Sequence, residues 1–154
     1  MTHLDSNCYT YQQERFATVW PELHPMLVAN HAETDLFGHP LEVDAEGYTE
    51  MDEAGSYRPY TLRRNGELVG YCGFVLYSHP HHVSKVHACQ DALYVRKSHR
   101  SKVLRFIAYC DSKLREAGVN VVIQHCPTRN DWSPVLKRLG YEALETSYFR
   151  RLIP

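Results

Sequence analysis

The chain has 154 residues, with 17 Lys or Arg against 18 Asp or Glu and a net charge of −1 with histidine neutral. That length suits one domain over 1–154 with a real core, and no Pro/Gly/Ser-rich linker or repeat divides it. The balanced charge excludes a general electrostatic pull toward nucleic acid or an anionic membrane, and no apolar run approaches membrane length.

The first residues, 1–5, lack the basic, apolar pattern of a secretory leader. The five cysteines are an odd number, widely spaced and without a Cys-x-x-Cys pair, so they read as reduced thiols. Both observations lead to the expectation of a cytoplasmic protein.

Residues 8–11 read as a first strand. Trp20, Leu23, Met26 and Leu27 mark helical material, broken by Pro21 and Pro25. Asp44 is placed to cap a second helix carrying Tyr48 and Met51. Residues 60–64 and 67–77 form a hairpin around Asn65-Gly66, because that dipeptide suits a two-residue turn needing positive φ. Pro59 falls just ahead of the hairpin. The run Tyr57-Arg58-Pro59-Tyr60, with Arg63 and Arg64 beyond, interleaves aromatic and basic side chains as single-stranded nucleic-acid binders do. The near-neutral charge argues against a dedicated nucleic-acid binder, and the arginines read as solvent-facing.

His79, His81 and His82 come next in a chain with ten histidines. Clustered imidazoles bind zinc, and His87 or Cys89 would complete a set across a hairpin. Adjacent side chains of a strand point apart, however, and no spaced Cys or His pair closes such a site. A solvated loop is the expectation, with no metal.

Residues 91–95 (Asp-Ala-Leu-Tyr-Val) read as an apolar strand, followed by the link Arg96-Lys97-Ser98-His99-Arg100-Ser101-Lys102. The link has four Lys or Arg and no acid, and it feeds a helix with Val103, Ile107, Cys110 and Leu114 on one face. A basic loop at a helix start reads either as an anion site, because first-turn N–H groups point outward and the helix dipole adds positive charge, or as a helix start merely solvated by long cations. Gly118 caps the helix, and residues 119–123 form a β-branched run that reads as another buried strand. Strand, helix, strand implies a crossover and a parallel or mixed sheet. A short helix over 134–139, a turn at Gly140, and two strand-like runs at 141–144 and 148–152 finish the chain.

The order "YVR…HR…", amphipathic helix, "AGVNVVI" and "LKRLGYEALETSYFRRL", with "ELVGY" after the Asn-Gly turn, resembles the GCN5-related N-acetyltransferases (GNAT). The likeness covers nearly the whole chain. Within the family it looks most like small acetyltransferase-like proteins of tailed phages, which share an "HPHH" style segment before the fourth strand. The resemblance implies an α/β (α+β) fold, a central twisted mixed sheet of six to seven strands flanked by about four helices. It implies transfer of acetyl from acetyl-CoA to an amine acceptor within a ternary complex. Backbone of Leu93, Tyr94 and Val95 would pair with pantetheine, and an N–H of this strand would polarise the thioester carbonyl. The pyrophosphate would rest on N–H groups of Arg100, Ser101, Lys102, Val103, Leu104 and Arg105, with charge from Arg100, Lys102 and Arg105. Asn130 corresponds to an asparagine the family uses near the pantetheine. The terminal strands are able to pair between two copies of the chain, as in a homodimer.

Two departures stand out. The family's loop carries glycines that let backbone approach the phosphate, and residues 100–105 supply none. The family's acid is a tyrosine before the Leu-Gly-Phe motif, a position that falls on Leu136. Cys126, Thr128, Tyr141 and Tyr148 lie nearby, and no spacing selects one. For the base, the resemblance points to Asp91, whose burial would raise its pKa, with His87 on the same face by period-two counting. Glu33, His39 and Tyr11 join them if the first loop folds over the acceptor. The departures also leave open a catalytically degenerate binding or inhibitory module acting through a protein partner.

Overall fold

The structure, a computed structural model, describes residues 8–153 and the backbone of residues 3–4. The strands are β1 (His3–Leu4), β2 (Tyr9–Gln13), β3 (Tyr57–Arg64), β4 (Glu67–Tyr77), β5 (His87–Val95) and β6 (Val121–Ile123). The helices are α1 (Phe16–Thr34), α2 (Ala45–Glu53), α3 (Val103–Glu116) and α4 (Ser133–Arg138), with a 3-10 turn at Lys97–Lys102 running into α3. Strands pair in chain order, antiparallel except for the parallel pair β5 and β6.

The mixed sheet and four helices agree with expectation, but the strand count does not. Five strands of three or more residues carry the sheet, and β1 adds only a two-residue pair. The runs at 141–144 and 148–152 form no strand. The tail instead reaches the loop after α1, where Arg151 donates to the Leu36 carbonyl at 2.8 Å and Phe149 meets Phe37 edge-on. Among the described residues no strand lies outside β6, so it is an edge, and Val121 is exposed rather than buried.

Two cores lie on the two faces of the sheet. Phe106, Ile107, Cys110 and Leu114 of α3 pack with Tyr60, Leu62, Cys72 and Phe74 on one face. Phe16, Val19, Leu23 and Met26 of α1 pack with Tyr57, Leu68 and Tyr71 on the other. Helix α1 is unbroken despite Pro21 and Pro25. Both prolines are on its exposed side, where solvent-facing carbonyls tilt toward water and the missing N–H groups are best tolerated. Its first N–H, from Phe16, donates to the buried carboxylate of Asp52 on α2 at 2.9 Å.

The Asn65-Gly66 turn forms as expected, with φ of 49° and 83°, and Arg64 opposite Glu67. Strand β3 begins earlier than expected, so Pro59 lies within it and pairs with Gly73. Nor is Arg63 solvated: it lies between Glu14 and Glu22, donating to both at 2.8–3.1 Å. Arg64 stacks its guanidinium over Tyr9.

Two irregularities of β5 position the site. Gly73 pairs with Ala92 and Phe74 with Gln90, which leaves Asp91 as the extra residue of a β-bulge. The β5–β6 ladder runs only from His87 opposite Val121 to Cys89 opposite Ile123. Beyond Cys89 the strands part, and among the described residues the β5 edge from Gln90 to Val95 has no ladder on that side.

Candidate active site

The bulge turns Asp91 and Ala92 toward the same face, over which α1 and α2 lie. Asp91 Oδ2 there accepts hydrogen bonds from Tyr48 Oη at 2.9 Å and Tyr57 Oη at 3.2 Å. Tyr57 Oη is also 2.8 Å from Tyr71 Oη. Each phenol has one proton, so if Tyr57 donates to Asp91, Tyr71 donates to Tyr57. Burial, reinforced by the charge of Asp91, pushes Tyr48 and Tyr57 well above the ordinary tyrosine range, so both stay protonated donors. Among the described residues, Asp91 Oδ1 has no hydrogen-bond partner.

Asp91 is exposed rather than buried. It borders a cavity of about 410 Å³ between α1, α2 and the sheet, where Glu42, Asp44, Phe16 and Leu27 also contribute walls. The cavity is therefore acidic at its rim and apolar at its base. Gly73 makes room for the tyrosine network, since a Cβ there would fall 1.8 Å from Tyr57 Oη.

The other candidates fall into three places. His87 is on the same face as Asp91 but four residues away, roughly 13 Å along the strand, with its ring against Tyr77. Leu93 and Val95 face the α3 core and Tyr94 the α1 core, while their backbone edge borders the opening between β5 and β6. Asn130 is exposed in a turn closed by its own N–H on the Pro127 carbonyl at 3.2 Å. Glu33 faces the basic link, not the cavity.

The link differs from the expected phosphate cradle. Its 3-10 turn passes into α3 without a break, with His99 N–H bonded to Arg96 O and Val103 N–H to Arg100 O. Residues 100–105 are thus inside a helix rather than a loop of outward N–H groups. The physical reason is the absence of glycine, since side chains with a Cβ keep to helical backbone here. Arg100 donates to Val95 O at 3.0 Å and to Glu33 at 2.7 Å. His99 Nδ1 is 2.8 Å from Tyr9 Oη, and Lys102 Nζ sits 4.7 Å from the centre of that ring.

Around the family's acid position, Leu136 is buried core. Tyr141 donates to Asp111 at 2.6 Å on the α3 side, and Tyr148 is fully in solvent. Cys126 donates to Asp131 and accepts from the Trp132 N–H. Thr128 is exposed in the same turn as Asn130. His79, His81 and His82 form an exposed turn of their own.

Sequence reasoning missed Tyr48, Tyr57 and Tyr71 as partners of Asp91, because their convergence depends on a bulge that no spacing announces. It also missed His125, just after β6, whose Nε2 is 3.2 Å from Cys89 Sγ.

No family model matches the sequence, and no curated protein is significantly similar to it. Solved structures do match over nearly the whole chain. An aminoglycoside acetyltransferase from an uncultured soil metagenomic sample, in complex with sisomicin, is 13% identical with a TM-score of 0.73, covering 96% of this chain and 98% of its own. The ribosomal-protein-alanine N-acetyltransferase of Brucella melitensis biovar Abortus 2308 is 18% identical with a TM-score of 0.69, covering 94% and 99%. A predicted acetyltransferase from Clostridium acetobutylicum, with acetyl-CoA, is 10% identical with a TM-score of 0.69, covering 94% and 96%. The fold is therefore that of the GNAT acetyltransferases. None of these three bears on a phage origin. Among the described residues no helix is long and apolar enough to cross a membrane.

Proposed function

We propose that the protein is an N-acetyltransferase that uses acetyl-CoA and transfers acetyl directly to an amine held in the cavity beside Asp91. The observation that carries the reading is the β5 edge from Gln90 to Val95, which among the described residues has no strand beside it, only Arg100 Nε on the Val95 carbonyl, and which opens next to that cavity. An extended, amide-bearing arm such as pantetheine fits an unpaired strand edge, because it satisfies backbone groups as an added strand would. When bound, acetyl-CoA supplies the activated acyl group. The phosphates then meet side-chain charge at the basic link, since residues 100–105 are helical and offer no glycine cradle.

Asp91 is the base of this proposal. Its Oδ2 is held by two phenols, and its Oδ1 is left to take the proton of an attacking ammonium. Glu42, Asp44 and Asp91 suit an acceptor that arrives positively charged, and the apolar base suits its carbon skeleton. This agrees with neighbours of the same fold that are an aminoglycoside acetyltransferase and a ribosomal-protein-alanine N-acetyltransferase.

The second reading is a GNAT-fold module that binds without catalysing. It is favoured by the helical link, by the pairing of Arg100 with Glu33 and by Leu136 in place of a tyrosine. The experiment that separates the two is incubation with acetyl-CoA and a panel of primary amines, reading release of the free CoA thiol. Amine-dependent release supports the enzyme. Its absence across aminoglycosides, polyamines and peptide N-termini, in a protein shown to be folded, supports the module.

A further inference from the structure

The two limbs of the opening are clamped at their apex. Cys89 is the last residue of β5 paired with β6, and His125 lies two residues past Ile123 on the other limb. Cys89 Sγ and His125 Nε2 are 3.2 Å apart, and the His125 N–H donates to Gln90 Oε1 at 2.9 Å. Cys89 faces the same side as Asp91, about 7 Å along the strand. An acyl thioester whose arm follows the β5 edge from Val95 toward the bulge has its sulfur near this apex. We propose, resting on the acetyl-transfer reading, that Cys89 and His125 are the acid that returns a proton to the departing thiolate, in place of the family's tyrosine.

The step balances with these residues and solvent. The ammonium gives one proton to Asp91, the amine nitrogen bonds to the acyl carbon, the carbon–sulfur bond breaks, and the second nitrogen proton leaves to solvent. Cys89 Sγ–H protonates the thiolate, and His125, which is exposed, reloads Cys89 from solvent. Burial and then the charge of Asp91 push the Cys89 thiol up, so it remains a proton donor rather than an acyl-accepting nucleophile. Of the alternative hydroxyls, Tyr141 is engaged with Asp111 and Tyr148 stands in solvent.

The test combines protection and kinetics. Purified protein is alkylated with iodoacetamide with and without saturating CoA, and each cysteine is read by mass spectrometry. CoA is expected to protect Cys89 at least fivefold while leaving the exposed Cys8 unchanged; equal labelling of Cys89 with and without CoA overturns the placement. Cys89→Ala and His125→Gln are expected to lower kcat about ten- to a hundredfold with CoA affinity within twofold, and Cys89→Ser to recover part of the loss. Variants that match wild type in kcat overturn the acid role while leaving acetyl transfer intact. A wild type that neither binds CoA nor releases thiol with any amine overturns the underlying reading and this proposal with it.

Discussion

Arg100 donates from Nη2 to Glu33 Oε2 at 2.7 Å, tying the basic link to the last turn of α1. The residue best placed by sequence to bind phosphate is thus already half-neutralised by a carboxylate, which Lys97 Nζ also approaches at 4.0 Å. Arg100→Ala is expected to weaken CoA binding about tenfold, the lower part of the range for a charge-assisted contact. Glu33→Gln is expected to tighten it by about two- to fivefold, because a partly exposed ion pair competes only modestly. Calorimetric titration with CoA measures both, and a Glu33→Gln variant that binds more weakly contradicts the competition.

Asp91→Asn keeps an oxygen acceptor for Tyr48 and Tyr57 but loses the base. Its kcat is expected to fall by about 10²–10³ with CoA affinity unchanged. Steady-state rates with the best amine, beside a CoA titration, check this; unchanged turnover removes Asp91 as the base.

Gly73 allows Tyr57 to reach Asp91, and an added Cβ would overlap the phenol oxygen at 1.8 Å. Gly73→Ala is expected to cost about 1–3 kcal/mol by overpacking and to lower kcat through the displaced phenol. Urea unfolding and steady-state rates report the two effects separately.

Asp52 is a buried acceptor for the first N–H of α1, and Arg15 approaches its carboxylate at 3.7 Å. Asp52→Ala leaves that N–H without its partner and is expected to destabilise the fold by about 1–3 kcal/mol. Asp52→Asn, which keeps an acceptor, is expected to lose less. Urea midpoints decide it, and equal losses contradict the capping role.

Arg63 holds Glu14 and Glu22 below the ordinary glutamate range. For Glu14, burial pushes upward and the hydrogen bonds from Arg63, Thr61 and Gln12 outweigh it, while for Glu22 the Arg63 hydrogen bond leads. Depressed carboxylates contribute stability that is full above the unfolded value near 4.5 and is lost as pH falls through the folded values below it. Thermal midpoints are expected to drop between about pH 5 and about pH 2, and to drop less in Arg63→Met. Equal acid sensitivity in the two proteins contradicts this source.

The fold was legible where local chemistry is decisive. Asn65-Gly66 set the hairpin, Asp44 Oδ1 caps α2 through Gly47 N–H, and Gly118 ends α3 at a φ of 83°. The period of Ile107, Cys110 and Leu114 marked the buried face of α3. The unbroken α1 was not legible, because two prolines argue locally against it and only tertiary burial of Phe16, Val19, Leu23 and Met26 overrules them. The strand-like composition of 148–152 misled for the converse reason, since β-propensity needs an edge to pair with. At the site, Asp91 was named from a resemblance, but its tyrosine partners and the Cys89–His125 pair arise from contacts 14 to 43 residues apart in sequence. Such contacts leave no periodic trace.

The most direct measurement is calorimetric titration of the protein with acetyl-CoA, with CoA and dephospho-CoA as comparisons. The account predicts micromolar or tighter binding of acetyl-CoA and CoA, with dephospho-CoA weaker through loss of a phosphate facing the basic link. No heat of binding, in a protein whose circular dichroism and cooperative unfolding show it folded, would contradict the β5 edge as a coenzyme site.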